Sequence, residues 1–200
     1  MVIVDESFSV GEKSNVRRMN VNDTEELRRL FAIERDPGEV EFMEGLQSDE
    51  VDLKIFATGN AEKLPIGISG KAGFVNNAEI GKLQGWIYFY PDEEERLERL
   101  KMAGVGAQLL QDRIACEISY AKFPNAVKGQ MSSGLRQAIK ILTRECFGHS
   151  AKMVIVAYTD RINHDSKRLL VATEFNKMGE IQYHMNDGVK KDEVWMLPIG

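Results

Sequence analysis

The residues best placed for chemistry lie in a short loop, Ala126-Val-Lys128-Gly129-Gln130-Met131-Ser132-Ser133-Gly134, that opens a strongly amphipathic helix. The first N–H groups of a helix have no acceptor within it, and they sit at the positive end of its dipole. Such a loop can hold a phosphate, and Gly129 would let the backbone come close to one. A glycine-bearing turn between strand and helix is equally common with no ligand, so the loop alone leaves both readings open.

The elements around the loop say what it could serve. Residues 114–123 read as a strand ended by Pro124, and Leu135, Ala138, Ile139, Leu142 and Cys146 recur at helical spacing. The apolar run that begins at Met153 predicts a strand over 153–158 in the middle of a sheet covered on both sides. Strand, loop, helix and strand make a β-α-β unit. A second helix starts near Ser166. Residues 180–184, a turn at Asn186, Asp187 and Gly188, and a strand through 195–197 form a closing hairpin.

Upstream, residues 16–19 predict a short strand, and Asp23 with Glu26 resembles a capping box for a helix that buries Leu27, Leu30 and Phe31. Asp36, Pro37 and Gly38 stop that helix, and a second short one carries Val40, Met43 and Leu46. Residues 51–58, 66–74 and 83–90 predict an antiparallel meander. The charged stretch 92–99, with Leu97 and Leu100, predicts an exposed helix in an insertion spanning 91–112. Trp86, Tyr88 and Tyr90 alternate on one strand face, where core packing is favoured over the lining of an acceptor pocket. The fold class is α/β, with an α+β mixed sheet, in one domain over 14–200 preceded by an arm over 1–13.

Bulk composition narrows the function. A chain of 200 residues, 43% apolar, can bury one core. The net charge of -5 gives no general basic field, so nucleic-acid and anionic-membrane partners are not expected. Cys116, Cys146, His149, His164 and His184 are scattered singly, so no metal is expected, and the low cysteine use fits a cytoplasmic protein.

Residues 117–124, the loop and residues 135–138 together resemble the acyl-CoA-binding motif of the GNAT superfamily of N-acetyltransferases. Asn163-His-Asp-Ser166, followed by Leu170 and ending in Phe175, is similar to that superfamily's Asn-x-x-Ser signature and aromatic helix terminus. The tail from Gly179 through Asp187 and Gly188 to Trp195 resembles the closing hairpin of the branch that contains ribosomal-protein N-terminal acetyltransferases. The resemblance spans 16–197.

It implies a V-shaped opening between strands 114–123 and 153–158 that receives acetyl-CoA as co-substrate. The pantetheine arm would pair with main chain at Tyr120, Lys122 and Phe123, positioned by Asn163. The diphosphate would lie on the N–H groups of Lys128, Gly129, Gln130, Met131 and Ser132, with charge from Lys128. A primary amine, either a peptide N-terminus or a small molecule, would attack the thioester directly, with Glu117 as base and Ser166 bonded to the leaving thiolate. The plainer alternatives are a paired strand carboxylate for Glu117 and a helix-capping hydroxyl for Ser166.

The sequence departs from the family at Ala126, Met131, Leu170 and Glu174, where the resemblance expects Arg or Gln, a small residue, the acid tyrosine, and glycine. The alternative function is therefore a non-catalytic acyl-CoA-binding module, and a third is a mononucleotide-binding protein. A second glycine segment, Gly104 to Leu110, resembles the same loop and competes with it as the cofactor loop. A homodimer is compatible with these readings.

Overall fold

The computed structural model describes residues 15–19, 21–25, 72–79, 82–91, 94–111, 113–122, 126–144, 152–185 and 188–200. The helices expected over 23–35 and 40–46, the strand over 51–58, Phe123, Cys146, and Asn186 with Asp187 lie wholly or mainly outside these residues. Seven strands are described: β1 (Asn15–Arg18), β2 (Ala72–Glu79), β3 (Lys82–Pro91), β4 (Ile114–Lys122), β5 (Met153–Asp160), β6 (Asn176–Met185) and β7 (Gly188–Ile199). They form one sheet in the order β1-β2-β3-β4-β5-β7-β6. Every neighbouring pair is antiparallel except β4 with β5. A parallel pair needs a long crossover, and helix α3 (Gln130–Leu142) supplies it. Before it come α1 (Glu94–Met102) and the four-residue α2 (Ala107–Leu110), and after β5 comes α4 (His164–Ala172).

Strand alternation divides the apolar residues between two cores. On one face Ile87, Phe89, Cys116, Ile118, Ile155 and Trp195 pack under α3 and α4 through Leu135, Leu142 and Leu170. On the other, Val154, Val156, Val194 and Met196 are covered by Leu100, Ala103 and Val105. Residues 153–157 are buried on both faces, as their unbroken apolar run requires. Leu100 is fully buried, which corrects the expectation of a wholly exposed helix between β3 and β4. The charges of that segment conceal an apolar stripe, because the second face of β5 and β7 has to be covered. Strand β2 runs five residues past the expected end at Phe74, since Val75 and Asn76 continue the ladder opposite Trp86 and Gly85. Among the described residues, no helix is long and apolar enough to cross a membrane.

The end of α4 shows how one sequence departure is tolerated. The Glu174 N–H bonds the Val171 carbonyl and the Phe175 N–H bonds that of Leu170, a Schellman closure whose apolar pair, Leu170 and Phe175, is buried in the core. That closure puts Glu174 at φ 70, where a side chain is strained. Glu174→Gly should therefore stabilise the protein by about 1 kcal/mol and raise Tm by roughly 2–4 °C, checked by calorimetry.

Candidate active site

The parallel pairing of β4 with β5 covers only Ile114 to Glu117 against Met153 to Val156. Beyond that point β4 stays on β3, with Ile118 opposite Phe89 and Lys122 opposite Gly85, while Ala157 to Asp160 of β5 stay on β7. The sheet forks at the Glu117–Val156 pair. The free edges are five and four residues long, or about 13–16 Å of extended chain each. Among the described residues, main-chain groups along these edges have no strand partner across the fork, as the resemblance implied.

The loop after β4 is pinned from below. The Val127 N–H donates to the Gln84 side-chain oxygen at 2.7 Å, and Gln84 is buried on β3. Gln84 was missed in the sequence, although a glutamine and a glycine interrupting the apolar run from Leu83 to Phe89 are a visible signal. Gly85 is needed for close approach: a Cβ there would collide with the Ala121 carbonyl oxygen and come within 3.1 Å of Met131 Sδ. The Met131 side chain thus fills the space left by that missing Cβ and points into the core. This is why methionine is tolerated where a small residue was expected.

Gly129, at φ 86, is the N-cap of α3 and has no side chain to cap it. Among the described residues, nothing lies within 4 Å of where its Cβ would be. Gln130 N–H bonds the Val127 carbonyl, and Ser133 N–H and Ser132 Oγ donate to the Gly129 carbonyl. Among the described residues, the N–H groups of Met131 and Ser132 meet no acceptor. Gln130 is buried, whereas Lys128 is exposed, as is Lys122 at the tip of β4. The competing segment fails on placement. Gly104 follows helix α1 rather than a strand, and Gly106 caps a helix of only four residues.

Asn163 caps α4 by accepting the Ser166 N–H at 3.0 Å. Ser166 Oγ lies 2.6 Å from the Tyr120 hydroxyl, which reaches over from the free arm of β4. Burial pushes the Tyr120 phenol up to about 12, and the bond to Ser166 only partly offsets this. Helix α4 is held by Lys167, whose ammonium is 3.2 Å from Glu193, and by Arg136 of α3, which donates to the Ala172 carbonyl. An open groove of about 380 Å³ runs along α4, lined by His164, Lys167, Arg168, Val171 and Ala172.

Glu117 points to the opposite face from Tyr120, because Cys116 and Ile118 on either side of it enter the core under α3. It is half-buried and lies across from Tyr90, next to the Tyr88–Ser119 pair. Trp86 and Tyr88 are buried, in keeping with a packing role. Further along this face, Asp192 and Asp160 are cross-strand neighbours, and Asp192 is buried with Oδ1 lacking a hydrogen-bond partner among the described residues. Burial, then repulsion from Asp160, raises the Asp192 carboxyl to about 6 against the opposing pull of Arg99. A carboxyl raised in the folded state destabilises it once ionised, so stability is lost as pH climbs from about 4 through 6. Asp192→Asn should gain roughly 2 kcal/mol at pH 7 and nothing below pH 4, checked by thermal unfolding across that range.

Solved structures of GNAT-family acetyltransferases share this architecture. The chain matches a GNAT-family acetyltransferase from Bacillus anthracis over 93% of its own length and 95% of the other, with 18% identity and a TM-score of 0.62. The fold is that of the GNAT acetyltransferases. A protein from Salmonella typhimurium solved with its cofactor acetyl-CoA matches over 94% and 95%, with 15% identity and a TM-score of 0.60. A ribosomal-protein-S5-alanine acetyltransferase from Vibrio fischeri matches over 96% of both chains, with 15% identity and a TM-score of 0.59. No family model matches the sequence, and no curated protein does. Within this GNAT fold, Leu170, where the resemblance expects tyrosine, is a fully buried core residue and offers no proton. A hydrogen-bonded pair of hydroxyls is supplied instead by Tyr120, on the free arm of β4, and Ser166.

Proposed function

We propose that the protein is an N-acetyltransferase that passes the acetyl group of acetyl-CoA to a primary amine by direct attack. The observation that carries this reading is the loss of β4–β5 pairing after Glu117 and Val156, directly ahead of the uncapped start of α3. Free strand edges suit a ligand arm that bears amides, which can pair with them as an added strand would. Tyr120 and Lys122 lie on the β4 arm, with Phe123 immediately after it, and Asn163 stands at the head of α4. The N–H groups of Met131 and Ser132, with Gly129, Gln130 and the Lys128 ammonium around them, suit a diphosphate. The basic groove along α4 lies beside Arg136, one helical turn past Ser132, and would take the nucleotide end. Acetyl-CoA brings an activated acyl group that needs no covalent enzyme intermediate.

The two faces of the fork divide the work. Alkyl amines are largely protonated near neutrality, so one has to lose a proton before it attacks. Glu117, on the face that also carries Asp160 and Asp192, is the base in this reading, and the negative potential there favours cationic acceptors. Ser166 stands on the other face, where it can stabilise departing sulfur. A serine here without the helical tyrosine supports the branch that contains ribosomal-protein N-terminal acetyltransferases, and hence a peptide N-terminus as acceptor.

The buried Leu170 favours one competitor, a module that binds acyl-CoA without turnover. Thiol release from acetyl-CoA, measured across peptides and small amines beside a calorimetric CoA titration, separates the two. The acetyltransferase reading expects binding together with release for at least one acceptor. Binding with no release favours the module, and stabilisation by ATP but not CoA would overturn both.

A further inference from the structure

The Tyr120–Ser166 pair holds a surplus proton. Two hydroxyls 2.6 Å apart share one hydrogen bond, and the backbone N–H of Ser166 is already committed to Asn163. One O–H of the pair therefore remains to donate elsewhere. Tyr120 reaches α4 from the part of β4 that lies beyond its last pairing with β5.

We infer that Tyr120 is a positioning residue for acyl transfer: its hydroxyl donates to Ser166 Oγ, fixing that rotor so that the Ser166 proton points into the fork toward the departing sulfur. The inference rests on the acetyl-transfer reading above. In that step the amine nitrogen bonds the acetyl carbon and the C–S electron pair leaves on sulfur. The proton that the ammonium gave to Glu117 before attack has passed on to solvent; the second, shed by the acylated nitrogen, passes to Glu117 in its turn, and the Ser166 O–H hydrogen-bonds the thiolate. Burial keeps the phenol protonated across the working pH range, so the pair retains both protons. Full transfer of a proton from the pair to sulfur would run uphill, because a thiol is the far stronger acid. The pair acts as an oriented donor, and the thiolate leaves with its charge stabilised rather than neutralised.

Tyr120→Phe and Ser166→Ala, made singly and together, test this in the full chain. Tyr120→Phe should lower kcat by roughly tenfold, with KM for acetyl-CoA and Tm little changed; Ser166→Ala should lower kcat by roughly 10–100-fold. Because Tyr120 acts through Ser166, the phenylalanine substitution should cost nothing further in the Ser166→Ala background. A second readout needs no turnover: the thiol of bound CoA, followed by thiolate absorbance, should titrate at higher pH in Tyr120→Phe than in the parent. The inference is overturned if CoA binds and Tyr120→Phe matches the parent in both readouts, or if its effect persists undiminished without the serine hydroxyl. Failure of the parent to bind CoA would instead remove the acetyl-transfer reading, and this inference with it.

Discussion

Glu117→Gln should lower kcat for acetyl transfer by roughly 10²–10⁴-fold while leaving CoA affinity and Tm near those of the parent. The substitution keeps the shape of the side chain and removes its negative charge, and with it the capacity to accept a proton. Its predicted size follows from where the residue stands. Glu117 is the last β4 residue paired with β5, so its side chain lies at the apex of the fork, on the face away from Tyr120 and Ser166. A base at the apex meets an amine approaching from that face, just where a thioester held in the fork would end. The measurement is steady-state kinetics with a reactive acceptor across a range of pH, beside calorimetric CoA binding. Unchanged kcat at every pH would remove Glu117 from the chemistry and return it to the role of an ordinary strand carboxylate.

The second large effect is expected at Gly129. Its backbone, at φ 86, excludes most side chains, so a β-branched replacement would lose folding and binding together. Asparagine tolerates that region and separates the two. Among the described residues no atom lies within 4 Å of the new Cβ, so Gly129→Asn should cost less than about 1 kcal/mol of stability. If a diphosphate sits against this turn, the added side chain meets the ligand instead, and CoA affinity should fall roughly 30-fold, or about 2 kcal/mol. Calorimetric titration and thermal unfolding of the same samples decide the matter. An affinity loss no larger than the stability loss would make the loop only a turn.

Strong periodicity made the second half of the fold legible in the sequence. The β4–α3–β5 unit, the helix at Ser166 and the closing hairpin all follow from apolar spacing and punctuation by Pro124 and Gly188. Strand ends were less legible, because ladders override local composition: Asn76 and Asn77 look like a turn but pair with β1 and β3 around a bulge. The covering role of Leu100 was hidden by the charges around it. At the site, the glycine-bearing loop before α3 pointed to Gly129, and the resemblance to the Asn-x-x-Ser signature pointed to Asn163 and Ser166. Gln84 and Gly85 showed only as an interruption of an apolar run, and what they do, like the reach of Tyr120 to Ser166, depends on contacts between residues more than thirty positions apart. Ser166 is not the capping hydroxyl of the plainer reading: Asn163 caps the helix by accepting the Ser166 N–H. The Ser166 hydroxyl is turned to Tyr120 instead.

Amide hydrogen exchange with and without acetyl-CoA tests the account most directly, because an arm that pairs with the open edges has to protect the backbone it meets. The account predicts slowed exchange within residues 118–122 of β4 and at Met131 and Ser132, with the zipped segment 114–117 unchanged. Slowing elsewhere, with both of those segments unaffected, would contradict it.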